Sequence, residues 1–90
     1  MHALDYSTPR LAKGCRWRDN GEEQFLLFPE GALRLHGTGL KILELCDGRR
    51  TFSELVEELQ KQYSASDLGR IREDAAQFLG RLRERRLVDY

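Results

Sequence analysis

Apolar and charged residues alternate along Cys15-Arg16-Trp17-Arg18, turn-forming residues follow at Asp19-Asn20-Gly21, and an apolar run, Phe25-Leu26-Leu27-Phe28, comes next. Period-two alternation puts successive side chains on opposite faces of a strand, and Asn-Gly is a hairpin signal, so two antiparallel strands are predicted. A second turn, Pro29-Glu30-Gly31, leads into Ala32-Leu33-Arg34-Leu35, a short third strand with Leu33 and Leu35 on one face. After His36-Gly37 the period lengthens. Leu40, Leu43 and Ile42 with Cys46 recur three and four apart, predicting a first helix capped by Thr38 and ended by Asp47-Gly48. Thr51-Phe52-Ser53-Glu54 has the form of a capping box, in which hydroxyl and carboxylate satisfy each other's free amides. It opens a second helix over about Phe52 to Tyr63, with Phe52, Leu55, Val56 and Leu59 inward. Ser64 or Ser66 is placed to cap the third and longest helix. Its stripe of Leu68, Ile71, Ala75, Phe78, Leu79 and Leu82 runs on to about Arg85, after which Leu87-Val88 folds back on the body. The expected class is α+β, a three-stranded antiparallel sheet followed by three helices.

Residues 1–10 lack either period and are expected to be a flexible arm, leaving 11–90 as a single domain. So small a chain buries only about 60 % of its unfolded surface, room for one core but little for a deep, water-excluding site, which disfavours an enzyme. Fifteen Lys and Arg against fifteen Asp and Glu leave no net charge, and a hydrophobic content of 40 % separates the chain from disordered ones. No apolar run approaches the ~18 residues of a membrane span. The first residues, with Asp5 early, do not form a secretory signal, so no membrane contact and a cytoplasmic location are expected. Cys15 and Cys46 stand alone with no CxxC, which indicates neither a metal site nor a disulfide framework and makes Cys46 a buried thiol.

Candidate chemistry is thin. His2 falls in the arm and His36 in a turn, neither beside a nucleophile motif. Gly37, Gly39 and Gly48 do not form a phosphate-cradling loop, and Glu57-Glu58 reads as the wet face of the second helix. Six arginines, Arg70, Arg72, Arg81, Arg83, Arg85 and Arg86, crowd the last helix. A basic recognition helix would use such residues on phosphates, yet Glu73, Asp74 and Glu84 interrupt them and the whole chain is neutral. A helix C-terminus also attracts cations whose stems cover apolar surface. What stands out is the third strand. It has neither the proline nor the inward lysine that blunts a sheet edge, so it could accept a peptide as an added strand, unless the arm or the third helix covers it.

Three segments carry a resemblance: Pro9-Arg10-Leu11-Ala12-Lys13-Gly14, Leu27-Phe28-Pro29-Glu30-Gly31 with the Ala32–Leu35 strand behind it, and Ile42-Leu43-Glu44-Leu45-Cys46-Asp47-Gly48-Arg49-Arg50-Thr51. Together they resemble the PqqD family of pyrroloquinoline quinone (PQQ) biosynthesis proteins, over about Pro9 to Val88. One departure is His36-Gly37 before Thr38, where an asparagine-like cap is expected. The resemblance implies a winged-helix-like, non-catalytic peptide-recognition domain without a cofactor or metal of its own. It would bind the precursor peptide PqqA as an added strand and present it to the radical S-adenosylmethionine enzyme PqqE, which crosslinks a glutamate to a tyrosine. The groove carried over by position is Ala32, Leu33, Arg34 and Leu35 with Arg72, Ala75, Ala76, Leu79 and Arg83 on the last helix. Helical phase puts Arg72, Ala76 and Arg83 on one border of the apolar stripe, and phase alone leaves open which border faces the strand. The chain would be a monomer or a strand-exchanged homodimer. The competing reading is a small winged-helix nucleic-acid-binding or transcriptional accessory domain.

Overall fold

The computed structural model describes residues 3–63 and 67–90. A single 3-10 turn, Ala3–Tyr6, is followed by β1 (Arg10–Leu11), β2 (Arg16–Asp19), β3 (Gln24–Phe28), β4 (Gly31–Arg34), α1 (Gly39–Glu44), α2 (Phe52–Gln62), α3 (Leu68–Glu84) and β5 (Val88–Asp89). The class is α+β, as the patterning predicts: the three predicted strands are β2, β3 and β4, antiparallel in that spatial order, and three helices follow. A second, two-stranded sheet pairs β1 with β5, a feature for which two-residue strands leave no periodic signal.

The hairpin between β2 and β3 is held by its own side chains. Asn20 Oδ1 accepts the amides of Glu22 and Glu23 at 3.1 and 2.7 Å, Asp19 Oδ1 accepts that of Gly21 at 2.9 Å, and Gly21 takes the positive φ of 93° that the turn demands. Register then puts Arg16, Leu27 and Ala32 in one cross-strand row and Arg18, Phe25 and Arg34 in another, both on the face opposite to fully buried Leu26.

Thr51 caps α2 as its sequence predicts. Its hydroxyl accepts the amide of Glu54 at 3.2 Å while Glu54 Oε1 accepts the amide of Thr51 at 2.9 Å, and these bonds hold the Glu54 carboxyl below its ordinary pKa. Thr38 does not cap α1. With ψ at 2° it is already turning, so its side chain makes no cap bond, and the amide of Gly39 is taken by His36 O at 3.0 Å instead. Asp47 lies beyond the end of α1 and organises the link to α2, accepting the amides of Arg49 and Arg50 at 2.9 Å each. The cap of α3 is Asp67, through the amide of Gly69 at 3.3 Å; Ser64 and Ser66 lie outside the described residues, as does His2.

The core gathers Leu26 from the sheet, Ile42 and Leu43 from α1, Phe52, Leu55, Val56 and Leu59 from α2, and Ala75, Leu79 and Leu82 from α3. Three members of the predicted α3 stripe depart from it: Leu68, on the first turn, is 49 % exposed, and Ile71 and Phe78 are only half-buried. Of the segment expected to be a flexible arm, residues 3–10 are described, and they are anchored to the body. Leu4 rests on the core, Pro9 is fully buried, and Ser7 O accepts the amide of Phe52 at 2.8 Å, one of the free donors of the first turn of α2.

After α3 the chain reverses through a Schellman turn, with the amide of Leu87 on Leu82 O and that of Arg86 on Arg83 O, both at 2.9 Å. Leu87 and Leu82 are both buried, so the apolar contact that accompanies such a turn is in place. The left-handed residue is Arg86, with φ at 62°, where glycine would carry no Cβ penalty. Arg86→Gly should therefore raise stability by about 0.5–1 kcal/mol, read as a higher midpoint in thermal melts. Cys46 is buried, as expected, and its thiol donates to Ile42 O at 3.1 Å. Burial, with Asp47 adding to it, pushes this thiol from 9.0 up to about 12. The unfolded chain loses that proton first, so stability is complete below the ordinary value and drains as pH rises from 9.0 towards about 12. Near neutral pH a thiol reagent should modify half-buried Cys15 in the folded protein and Cys46 only after unfolding.

Candidate peptide-binding groove

β4 is an edge strand, with β3 on one side and no strand on the other among the described residues. The amide of Leu35 donates to Gln24 O at 2.7 Å, and the register places Arg34 opposite Phe25 and Leu33 opposite Leu26. Amides in an antiparallel ladder alternate, so Leu33 and Leu35 point theirs inward and Ala32 and Arg34 point theirs to the open side. The side chains alternate as well: Leu33 is half-buried and Leu35 buried, while Ala32 and Arg34 are exposed. Arg34 pairs with Glu23 across the hairpin.

Beside this edge runs a cleft of about 500 Å³ whose floor is Leu33 and Leu35 from the strand and Phe78 and Leu82 from α3, with Arg81 and Arg85 on the helix wall. Phe78 is placed there by its neighbours. Its ring lies where a Cβ on Gly39 would stand 3.3 Å away, so the glycine at the start of α1 makes room for it, and one side of the ring packs on the core while the other lines the cleft.

The strand residues carried over by resemblance, Ala32, Leu33, Arg34 and Leu35, thus form the open edge and one wall of the cleft. The helix residues do not face it. Ala75 and Leu79 are fully buried in the core. Arg72 pairs with Asp5 and lies 5.4 Å from the centre of the Phe52 ring, Ala76 packs near Leu4 and Phe52, and Arg83 lies 4.7 Å from the ring centre of Tyr90. At about 100° per residue these three occupy the border of the stripe opposite to Phe78, Arg81 and Arg85. The chain's own ends cover that border, which answers the choice that phase left open.

The sequence profile of the family described as Coenzyme PQQ synthesis protein D (PqqD) matches residues 23–88. This chain belongs to the PqqD family. It is 34 % identical over 83 residues to a "PqqA binding protein" of Azotobacter vinelandii, covering 90 % of this chain and 88 % of that one. It is 36 % identical over 53 residues to one of Methylococcus capsulatus, covering 59 % and 57 %. It also superposes with a TM-score of 0.78, 29 % identity and full coverage of both chains on the solution NMR structure of the PqqD truncation of Methylobacterium extorquens PqqCD. That structure is described as a functional and stand-alone recognition element for ribosomally synthesised and post-translationally modified peptides.

In this PqqD-family chain the sequence signal for the groove was confined to β4. The helix-side residues, Phe78, Arg81, Leu82 and Arg85, follow from helical spacing only once the covered border is known. The ladder geometry has a direct check in proline substitution. Arg34→Pro removes an outward amide and an exposed ion pair, and should melt within about 1 kcal/mol of the parent. Leu35→Pro removes the donor to Gln24 O, and should melt about 1–3 kcal/mol below the reference variant Leu35→Ala, which loses the side chain but keeps the bond.

Proposed function

We propose that this chain is a non-catalytic peptide chaperone of coenzyme PQQ biosynthesis that takes the precursor peptide PqqA as a fourth strand on β4 and presents it to the radical S-adenosylmethionine enzyme PqqE. The observation that carries this reading is the pair of outward amides, Ala32 and Arg34, alongside an apolar-floored cleft. Main-chain bonds align an extended peptide whatever its sequence, and the cleft then selects its alternate side chains. The two act together by necessity. Three or four added backbone bonds contribute only about 1 kcal/mol each, against about 8 kcal/mol for micromolar affinity, so side chains buried on Leu33, Phe78 and Leu82 must supply the larger share.

Membership of the family and the names of its relatives support the precursor peptide as the ligand. In this reading the protein works in the cytoplasm, holds no cofactor, and leaves the redox chemistry to the enzyme. A nucleic-acid role is disfavoured, since Arg72 and Arg83 are engaged by the chain's own Asp5, Phe52 and Tyr90 and Glu73, Asp74 and Glu84 interrupt the arginines of α3. Calorimetric titration with Azotobacter vinelandii PqqA tests the proposal. The parent should bind, and folded Arg34→Pro should lose at least about tenfold in affinity, because the ring removes a donor and blocks the edge. Equal binding by folded Arg34→Pro and the parent would place the peptide elsewhere.

A further inference from the structure

The wall of the cleft carries more positive charge than negative. Arg34, at its strand side, is neutralised by Glu23. Arg81 and Arg85, on its helix side, have no ion-pair partner among the described residues. Arg85 lies 5.6 Å from the centre of the Phe28 ring, and among the described residues no contact of this kind engages Arg81. Against these two cations the cleft sets one carboxylate, Glu84, on a chain that carries no net charge. A cation in the last turn of a helix complements its dipole wherever it sits around the axis. The dipole therefore accounts for arginines at the end of α3, but not for two of them standing four residues apart on the flank that borders an open strand. Arg83, in the same turn, lies instead over Tyr90.

In a strand added to β4, the side chains directed at α3 lie on the face of Leu33 and Leu35. They meet Phe78 and Leu82 on the floor and Arg81 and Arg85 above it. Residues four apart on a helix stand about 5–6 Å from one another, close to the ~6.6 Å between same-face residues of a strand. Two guanidiniums without an ion-pair partner among the described residues, at that spacing over an apolar floor, fit an amphipathic segment that presents apolar side chains to the floor and a carboxylate to the wall. We propose that the groove selects an acidic, apolar-alternating peptide strand, with Arg81 and Arg85 as the residues that determine this specificity. The inference rests on the strand-addition reading and adds to it the charge of the segment that is read.

The experiment is anisotropy titration of labelled Azotobacter vinelandii PqqA, and of the same peptide with every Asp and Glu changed to Asn and Gln, against four folded proteins: the parent, Arg81→Gln/Arg85→Gln, Arg81→Lys/Arg85→Lys and Arg34→Pro. The glutamine pair should bind native PqqA about tenfold more weakly than the parent, and the lysine pair within about threefold. The amide peptide should lose a similar factor against the parent and nothing further against the glutamine pair, since the loss is shared. Affinity for native PqqA should fall with salt in the parent and less so in the glutamine pair. Should the amide peptide bind the parent as tightly as native PqqA, or lose equally against both proteins, the charge inference fails. A concurrent loss in Arg34→Pro would leave strand addition standing. If Arg34→Pro also binds as the parent does, or if the parent fails to bind PqqA, both readings fall.

Discussion

Burial of Pro9, Leu87 and Val88 holds the two ends of the chain against the body, and the rest of the surface is arranged by where those ends lie. Each such side chain contributes about 1.5–3 kcal/mol through its removal from water, far more than the ion pair and ring contacts around it. The main chain follows the side chains. β1 and β5 pair, the amide of Ala12 donates to Leu87 O at 2.9 Å and that of Gly48 to Pro9 O at 3.0 Å, so both ends satisfy their backbone on each other and on the loop before α2. With the ends so occupied, Asp5 and Tyr90 come to lie on one flank of α3, against Arg72 and Arg83, and the opposite flank stays bare beside β4.

This arrangement separates what the sequence could disclose from what it could not. The β2–β3 hairpin and the start of α2 were legible because their signals are local: Asn20 satisfies amides two and three residues on, and Thr51 and Glu54 satisfy each other within one turn. The edge character of β4 was legible for a related reason, since a short strand without proline or an inward charge advertises an open ladder. The helix wall was not. A period of 3.6 identifies the buried stripe of α3 but treats its two borders alike, and the choice between them was made by contacts more than sixty residues away in sequence, as between Asp5 and Arg72. Thr38 and Phe78 were misread through tertiary context. A turn closed by the Gly39 amide on His36 O holds the backbone of the first, and the absence of a Cβ at Gly39 leaves the space taken by the ring of the second.

A chain of this size has little stability to spare, and the groove is built from groups that cost little of it. The amides of Ala32 and Arg34 serve no internal ladder, so leaving them free removes no bond from the fold. Phe78 is half-buried and Arg81 and Arg85 lie at the surface, so the helix wall is made of side chains whose burial is finished only when something fills the cleft. The core residues of α3, Ala75, Leu79 and Leu82, meanwhile share one buried cluster with Leu26 of the sheet and the inward face of α2, and so hold the helix in place. In the proposed reading, recognition by strand and cleft draws its rigidity from the core and its selectivity from the rim. The two would then vary independently, and a change at rim residues such as Arg81 and Arg85 would alter the peptide that is read while the packing stays as it is.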